Sequence, residues 1–415
     1  MIPKGWQTRK GREISMLITK GESPLWQGFG YQDEGVLFVT SENVRDGSFS
    51  ISNPKFVSEI FHKKLKRSRL QKNDVLINLV GASIGRSCLF PLANVEANIN
   101  QAVCLLRVQN AINPKWIAYY LQEPKNVKRL LDSQSDSARA NLSLEDIRNF
   151  TFLIPPDSEQ NKIIEILSAW DISIERTETL IAAKVKLKTS LMQQLLTGKK
   201  RFQQFAEQEW KEVRLGEVFK EIQEVNDGRK HSVMTISSRL GLISQEDKFD
   251  RVIAGNSLKQ YTQIKRGDFA YNKGNSKSYQ MGCIYQLEDR ESALVPFVYI
   301  CFRPTDAVCS AFYKHWFLAH GLDRQLKRII TSGARGDGLL NVNAADFFKL
   351  KVPLPPKDEQ AAIAQVFQTV DKEIDLLKKQ LDALKRQKRG LMQKLLTGQI
   401  RVKVAEQAGR EAVSV

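Results

Sequence analysis

The sequence predicts an α+β protein that uses one plan twice. Two globular domains, at 1–153 and 203–353, each precede a long helix, at 154–202 and 354–402. The helices are expected to pair as an antiparallel coiled coil in a pseudo-twofold internal repeat, leaving 403–415 as a C-terminal tail. Three observations predict this. A chain of 415 residues suits several domains rather than one. It matches itself at an offset of 200 residues, with 17 of 49 positions identical between 154–202 and 354–402. Its apolar pattern also changes from short strand-like runs to a sustained heptad in both halves.

The globular parts come first in each half. Runs such as 35–40, 74–80 and 293–300 are β-branched and aromatic, lie between Gly, Asn, Asp and Ser, and read as strands between turns. Helical stretches are expected near 116–131 and 312–330. The repeat reaches into these parts through Trp116/Trp316, Asn141/Asn341 and Asp146/Asp346. Elsewhere the two globular parts diverge, as expected of a common scaffold carrying two different surfaces.

The helical parts are closely alike. Pro155-Pro156-x-x-Glu159-Gln160 returns as Pro355-Pro356-x-x-Glu359-Gln360. Leu191-Met192-Gln193-x-Leu195-Leu196-Thr197-Gly198-x-x-Arg201 returns as Leu391-Met392-Gln393-x-Leu395-Leu396-Thr397-Gly398-x-x-Arg401. Between these ends, Ile363, Phe367, Val370, Ile374, Leu377, Leu381, Leu384, Lys388, Leu391 and Leu395 alternate at spacings of four and three, which makes a coiled-coil seam. The earlier copy runs Ile163, Leu167, Trp170, Ile174, Thr177, Ile181, Lys184, Lys188, Leu191 and Leu195, with more polar breaks. The proline pairs stand before each helix start, with Asp157 a candidate N-cap in the first copy, and Gly198 and Gly398 stand where a left-handed glycine ends a helix. About 40 residues at 1.5 Å each make each helix roughly 60 Å long.

Charge narrows the partner. A net charge of +17 favours a polyanion, most simply nucleic acid. No 18-residue apolar run is present, so no membrane span is expected. The five cysteines contain no CxxC pair and the polar start has no apolar signal core, which together point to the cytoplasm. No GxGxxG, Walker A, GxSxG or HExxH pattern occurs, and Asn53-Pro54-Lys55-Phe56 is too incomplete to mark a methyltransferase site. No catalytic, metal or cofactor site is expected in this chain.

The loops of the globular parts are polar and basic. The candidate DNA contacts are Thr40, Asn78, Ser83, Arg86, Arg139 and Asn141 in the first domain, and Ser237, Asn272, Lys273, Lys277, Arg335 and Asn341 in the second. Arg can pair with guanine and Asn with adenine, while Lys and Ser can hold phosphates.

The doubled segment, Pro155–Arg201 and Pro355–Arg401 with Asp171/Asp371 and Ile174/Ile374 inside, resembles the specificity (S) subunit of type I restriction–modification systems. Trp6…Gly11, Trp210…Gly216 and Gly21-x-Ser23-Pro24 extend the resemblance to the whole chain, although no Gly-x-Ser/Thr-Pro follows Trp210. The resemblance implies two target-recognition domains, each reading one half of an asymmetric, bipartite double-stranded DNA site. It implies helices that set the spacer and dock two methyltransferase (M) subunits, and restriction (R) subunits that join this core. On that basis Pro155, Glu159, Gln160, Asp171, Leu195 and Gly198, with Pro355, Glu359, Gln360, Asp371, Leu395 and Gly398, are the candidate spacer and docking residues. S-adenosylmethionine, ATP and Mg are expected on the partner subunits, and this chain is expected to be non-catalytic. A stand-alone DNA-binding protein with a coiled-coil spacer is the alternative.

Overall fold

The computed structural model describes residues 2–132, 141–229, 231–237, 240–252, 255–274, 279–330 and 340–403. The first globular part contains strands β1 (Gln7–Lys10), β2 (Ser15–Lys20), β3 (Val36–Val39), β4 (Phe56–Val57), β5 (Val75–Asn78), β6 (Ser87–Leu89), β7 (Ala97–Ile99), β8 (Val103–Val108) and β9 (Thr151–Ile154). Its helices are α1 (Gly11–Ile14), α2 (Glu59–Lys64), α3 (Pro114–Gln122), α4 (Pro124–Asp132) and α5 (Leu144–Asn149), and the long helix α6 (Asp157–Leu195) follows. The second part contains β10 (Lys211–Arg214), β11 (Phe219–Glu221), β12 (Ser232–Ser237), β13 (Gly241–Ser244), β14 (Thr262–Lys265), β15 (Phe269–Asn272), β16 (Cys283–Gln286), β17 (Ser292–Val295), β18 (Ile300–Pro304) and β19 (Lys351–Leu354). Helices α7 (Leu215–Val218), α8 (Gln245–Phe249), α9 (Ser310–Leu318), α10 (Asp323–Ile329) and α11 (Ala344–Phe347) accompany them, and α12 (Lys357–Leu396) is the second long helix.

The chain divides into two compact units. One consists of Met1–Glu178 together with Lys379–Val415, and the other is the continuous segment Thr179–Lys378. Both boundaries fall inside the long helices, so each unit contains one globular part and half of each helix.

Although the globular sequences diverge, a four-stranded sheet in each has the same order. β2-β8-β5-β6 in the first unit matches β11-β18-β15-β16 in the second, and the terminal pair β1-β9 matches β10-β19. The second sheets correspond in three strands: parallel β3 and β7, with β4 antiparallel to β3, match parallel β12 and β17, with β13 antiparallel to β12, and β14 adds a fourth strand beside β17 in the second unit. One buried ion pair marks the equivalence. Arg107 grips Asp74 through Nε and Nη2 at 2.8 and 2.7 Å, and Arg303 grips Asp268 at 2.8 Å through both atoms. Each Asp also accepts a backbone N–H three residues earlier, from Gln71 and Lys265, both at 2.7 Å.

Three expected elements prove to be interrupted, each for a local reason. The run at 293–300 is two strands, because the Tyr299 amide donates to Pro296 O and closes a turn. The stretch at 116–131 is two helices separated at Pro124, which cannot continue the helix of α3. The stretch at 312–330 breaks at His320, whose φ is +61°. Asp157 is the first helical residue rather than the cap, because Pro156 O accepts from the Gln160 amide and so occupies the capping position. Gly198 and Gly398 adopt φ of +71° and +70°, the left-handed conformation expected after each helix.

The heptad seams face inward. In the first unit Ile163, Ile164 and Leu167 of α6 share a core with Leu391, Met392, Leu395 and Leu396 of α12. In the second unit Leu191, Met192, Leu195 and Leu196 of α6 meet Ile363, Ala364 and Phe367 of α12. Early residues of one helix thus meet late residues of the other, so the segments run antiparallel within each unit. Polar seam positions set the register. Lys388 pairs with Asp171 in the first unit, and Lys188 pairs with Asp371 at 2.6 Å in the second, the same pair at the repeat offset. Lys385–Glu178 and Lys184–Glu373, both at 2.6 Å, flank them.

Candidate nucleic-acid interface and helix joint

The repeated Pro-Pro-x-x-Glu-Gln motif forms the joint between each globular part and its helices. Gln160 bends back so that its Nε2 donates to Pro155 O at 2.9 Å, while its Oε1 accepts the Asn113 amide, at the cap of α3, at 3.2 Å. Gln360 does the same, donating to Pro355 O at 2.8 Å and accepting the Cys309 amide, at the cap of α9, at 2.8 Å. The side-chain amide thereby ties a helix of the globular part to the start of the long helix.

Glu159 and Glu359 each hold a three-part clasp. Glu159 accepts Trp6 Nε1 at 2.9 Å and Arg401 Nε and Nη2 at 2.6 and 2.7 Å. Glu359 accepts Trp210 Nε1 at 2.8 Å and Arg201 Nε and Nη2 at 2.9 and 2.6 Å. Each guanidinium also stands over its indole, 5.7 Å from Trp6 and 5.8 Å from Trp210. Burial acts to raise the pKa of Glu159, but its bonds from Arg401 and Trp6 outweigh this and hold the carboxyl below its ordinary 4.5. The Arg201 guanidinium is correspondingly raised by its bonds to Glu359.

Among the described residues Asp171 carries a further contact that Asp371 does not. Tyr119 Oη donates to Asp171 at 2.6 Å, with Lys388 over the ring. Burial, then the Asp171 bond, raise the Tyr119 pKa. Pro155, Glu159, Gln160, Leu195, Pro355, Glu359, Gln360 and Leu395 are buried, while Asp171, Asp371, Gly198 and Gly398 are half-buried. The buried side chains of this set therefore face the inside of their own units, while Asp171 and Asp371 stay partly open to solvent.

Within each unit the structure brings some of the expected DNA contacts together. Asn78 ends β5, and the loop after it carries Ser83 and Arg86. Backbone bridging of Val80 with Asn141, and donation from the Leu142 amide to Leu79 O at 2.8 Å, bring the segment before α5 against it. Asn272 ends β15 and Lys273 opens the loop after it, and the Leu340 amide donates to Lys273 O at 2.9 Å, so Asn341 lies beside the equivalent loop. Asn78 and Asn272 stand at the same end of equivalent strands.

Their side chains differ in availability. Asn78 is fully buried, and its Nδ2 donates to Ser41 O and Ser83 Oγ, both at 3.0 Å. Thr40 is buried and donates its amide to Asn43 Oδ1 at 2.8 Å. Both build the turns beneath the loops. Arg86 and Asn141 are exposed, and Ser83 is half-buried. In the second unit Asn341 is exposed. Asn272 is half-buried, with Oδ1 accepting the Gly274 amide at 2.9 Å, and Lys273 is half-buried. Ser237 ends β12, where its Oγ accepts the Leu240 amide at 3.4 Å. Arg139, Lys277 and Arg335 lie outside the described residues. Replacing Asn78 with alanine removes the tie between the Ser41 turn and Ser83, and is expected to cost about 1–3 kcal/mol in chemical denaturation.

Sequence reasoning passed over Arg201 and Arg401 as site residues, although the 200-residue offset repeats them. It passed over the Asp74–Arg107 and Asp268–Arg303 pairs because loops of unequal length shift them to other offsets. Among the described residues no group of three His, Cys, Asp or Glu side chains could hold a metal ion, and no helix is long and apolar enough to cross a membrane.

Comparison with known proteins fits this doubled geometry. A family model described as the type I restriction modification DNA specificity domain matches residues 3–186 and again 207–386. The type I restriction enzyme MjaVIII specificity subunit of Methanocaldococcus jannaschii is 23% identical over 425 residues, covering 97% of this chain and 94% of that one. The EcoBI specificity subunit of Escherichia coli is 27% identical over 195 residues, covering 45% of this chain and 40% of its own. Two solved structures share the fold. A chain from a study of complex assembly and conformational transition in a type I R-M system aligns over 96% of this chain and 100% of its own, with a TM-score of 0.56 and 14% identity. The S subunit of a type I system from M. genitalium aligns over 95% of this chain and 96% of its own, with a TM-score of 0.54 and 16% identity.

Proposed function

Because the chain belongs to the type I restriction modification DNA specificity family, we propose that it reads an asymmetric, bipartite DNA sequence through its two units, one half-site each. It is a specificity subunit with two target-recognition domains. The observation that carries the bipartite reading is two sheets of identical order that present different loops on one repeated helix joint. Shared topology gives both units the same platform. Different residues beside the repeated Asn141 and Asn341, Ser83 and Arg86 in one unit and Lys273 in the other, give each its own donor and acceptor pattern for base edges and phosphates.

In this reading 1–153 and 203–353 are the recognition domains, and 154–202 and 354–402 set the unread spacer. The chain performs no chemistry itself. It holds DNA in register for two methyltransferase subunits, which carry S-adenosylmethionine, and for restriction subunits using ATP and Mg, all in the cytoplasm. The buried clasps at Glu159 and Glu359 support a rigid joint, so docking would use the exposed helix faces around them. A stand-alone DNA binder is less well supported, because the relatives that match nearly the whole chain are subunits of restriction enzymes.

Exchanging residues 1–150 for the same domain of another specificity subunit tests the reading. Mapping methylated adenines across the genome is expected to show one half-site changed and the other retained. A change in both halves would overturn the modular assignment.

A further inference from the structure

We propose that the exposed basic face of α4, and its counterpart on α10, grips the DNA phosphodiester backbone beside the loops of each unit. Lys125, Lys128 and Arg129 are exposed on α4, and Arg324, Lys327 and Arg328 are exposed on α10. The three positions recur at an offset of 199, within Val127-Lys128-Arg129-Leu130-Leu131 and Leu326-Lys327-Arg328-Ile329-Ile330. Residues spaced by three or four lie on one helix face, so Lys125 and Lys128, and Arg324 and Lys327, point the same way.

Among the described residues most of these cations are uncommitted. Lys125, Lys128, Arg324, Lys327 and Arg328 form no ion pair among the described residues. Arg129 differs, since it donates to Tyr120 Oη at 3.1 Å and stands over Phe150. Cations left without carboxylates among the described residues, in a chain that forms many internal ion pairs, are available to an outside anion.

Their place in the fold specifies which anion. The opposite side of α4 supports the loop after β5, where a Cβ at Gly85 would meet Val127 Cγ1 at 3.2 Å and Leu131 Cδ2 at 3.6 Å. In the second unit Asp323 and Leu326 of α10 line one hollow with Tyr279 and Gly282, which end the loop after β15. Tyr279 also stacks on His320, just before α10, with ring centres 5.1 Å apart. Each helix thus backs the loop proposed to read bases and turns cations to solvent beside it. A duplex seated on those loops brings its phosphates to such a face, and a phosphate contact positions the duplex without selecting sequence. This explains why the basic face repeats while the loops diverge.

The inference rests on the DNA-reading function proposed above. Its test uses the full chain carrying either Lys125→Gln with Lys128→Gln, or Arg324→Gln with Lys327→Gln. Binding to a mixed-sequence duplex is titrated against salt, and methylated adenines are mapped in cells. For each double variant the slope of log affinity against log salt is expected to fall by about 2, roughly one for each lost phosphate contact, with both half-sites unchanged. An unchanged slope overturns the basic-face assignment while leaving the reading function intact. A changed half-site also overturns it, since the face would then read bases. Absence of duplex binding by the unaltered chain defeats both proposals. Unchanged amide protection over α4 and α10 shows that the variants remain folded.

Discussion

Replacing Glu359 with alanine lowers the stability of the second unit by about 3–5 kcal/mol, the cost of removing one partner from a buried ion pair. Glu359 is completely buried and accepts three hydrogen bonds, two from Arg201 and one from Trp210. Without it, the half-buried Arg201 guanidinium loses the one carboxylate it pairs with among the described residues, and the Trp210 N–H loses its acceptor. Both groups must then find water or remain unpaired. Hydrogen exchange measured peptide by peptide resolves the loss by unit. Protection falls across Thr179–Lys378, while the Met1–Glu178 peptides keep theirs. An equal loss in both units would mean that the clasp does not belong to one unit.

Glu159→Ala produces the mirrored result in the first unit and adds a pH dependence. The folded pKa of Glu159 lies below its ordinary 4.5, so its contribution is fully present above 4.5. It is lost as pH falls through the lower folded value. Stability between pH 7 and 5 should therefore be insensitive to this group, and the wild-type advantage over Glu159→Ala should shrink only in more acidic solution.

The second large effect comes from ending the chain at Lys378. The first unit is completed by residues 200 positions beyond its own half of α6. Met392, Leu395 and Leu396 are 7%, 2% and 0% exposed in its core. Burial of each such side chain stabilises by about 1.5–3 kcal/mol, in a unit whose total margin is about 5–15 kcal/mol. Truncation also deletes Arg401, Lys388 and Lys385, leaving Glu159 buried without its cation. The first unit is expected to unfold, whereas Thr179–Lys378 keeps every segment of its own core. Limited proteolysis checks this: peptides from 1–178 are released early and those from 179–378 late. Retained resistance in 1–178 would show that the C-terminal segment is dispensable to that unit.

Much of this was legible in the residues. The heptad seam is read directly from apolar spacing, because a helix buries one stripe and the stripe recurs every three or four residues. Gly198 and Gly398 announce helix ends because a left-handed conformation after the last turn favours glycine. Asp74 and Asp268 were not legible as a pair. Insertions between them and the helices shift the offset, and their shared role shows only when Arg107 and Arg303 reach them across equivalent strands. Pro124 and Pro296 were visible in the sequence, and each marks a local break, in a helical stretch and in a strand-like run.

The sequence by itself determined the family, the doubling, the two long helices and the residues along their seam. Each of these depends on spacing or identity along the chain. Only the tertiary structure decided that the units are not the sequence halves. Lys379–Val415 returns to complete the first unit, because antiparallel pairing places late residues of α12 on early residues of α6. That return turns Glu159 and Arg401, 242 residues apart, into neighbours at 2.6 Å. Periodicity cannot report this, since it depends on which apolar stripe finds which partner once the chain has folded.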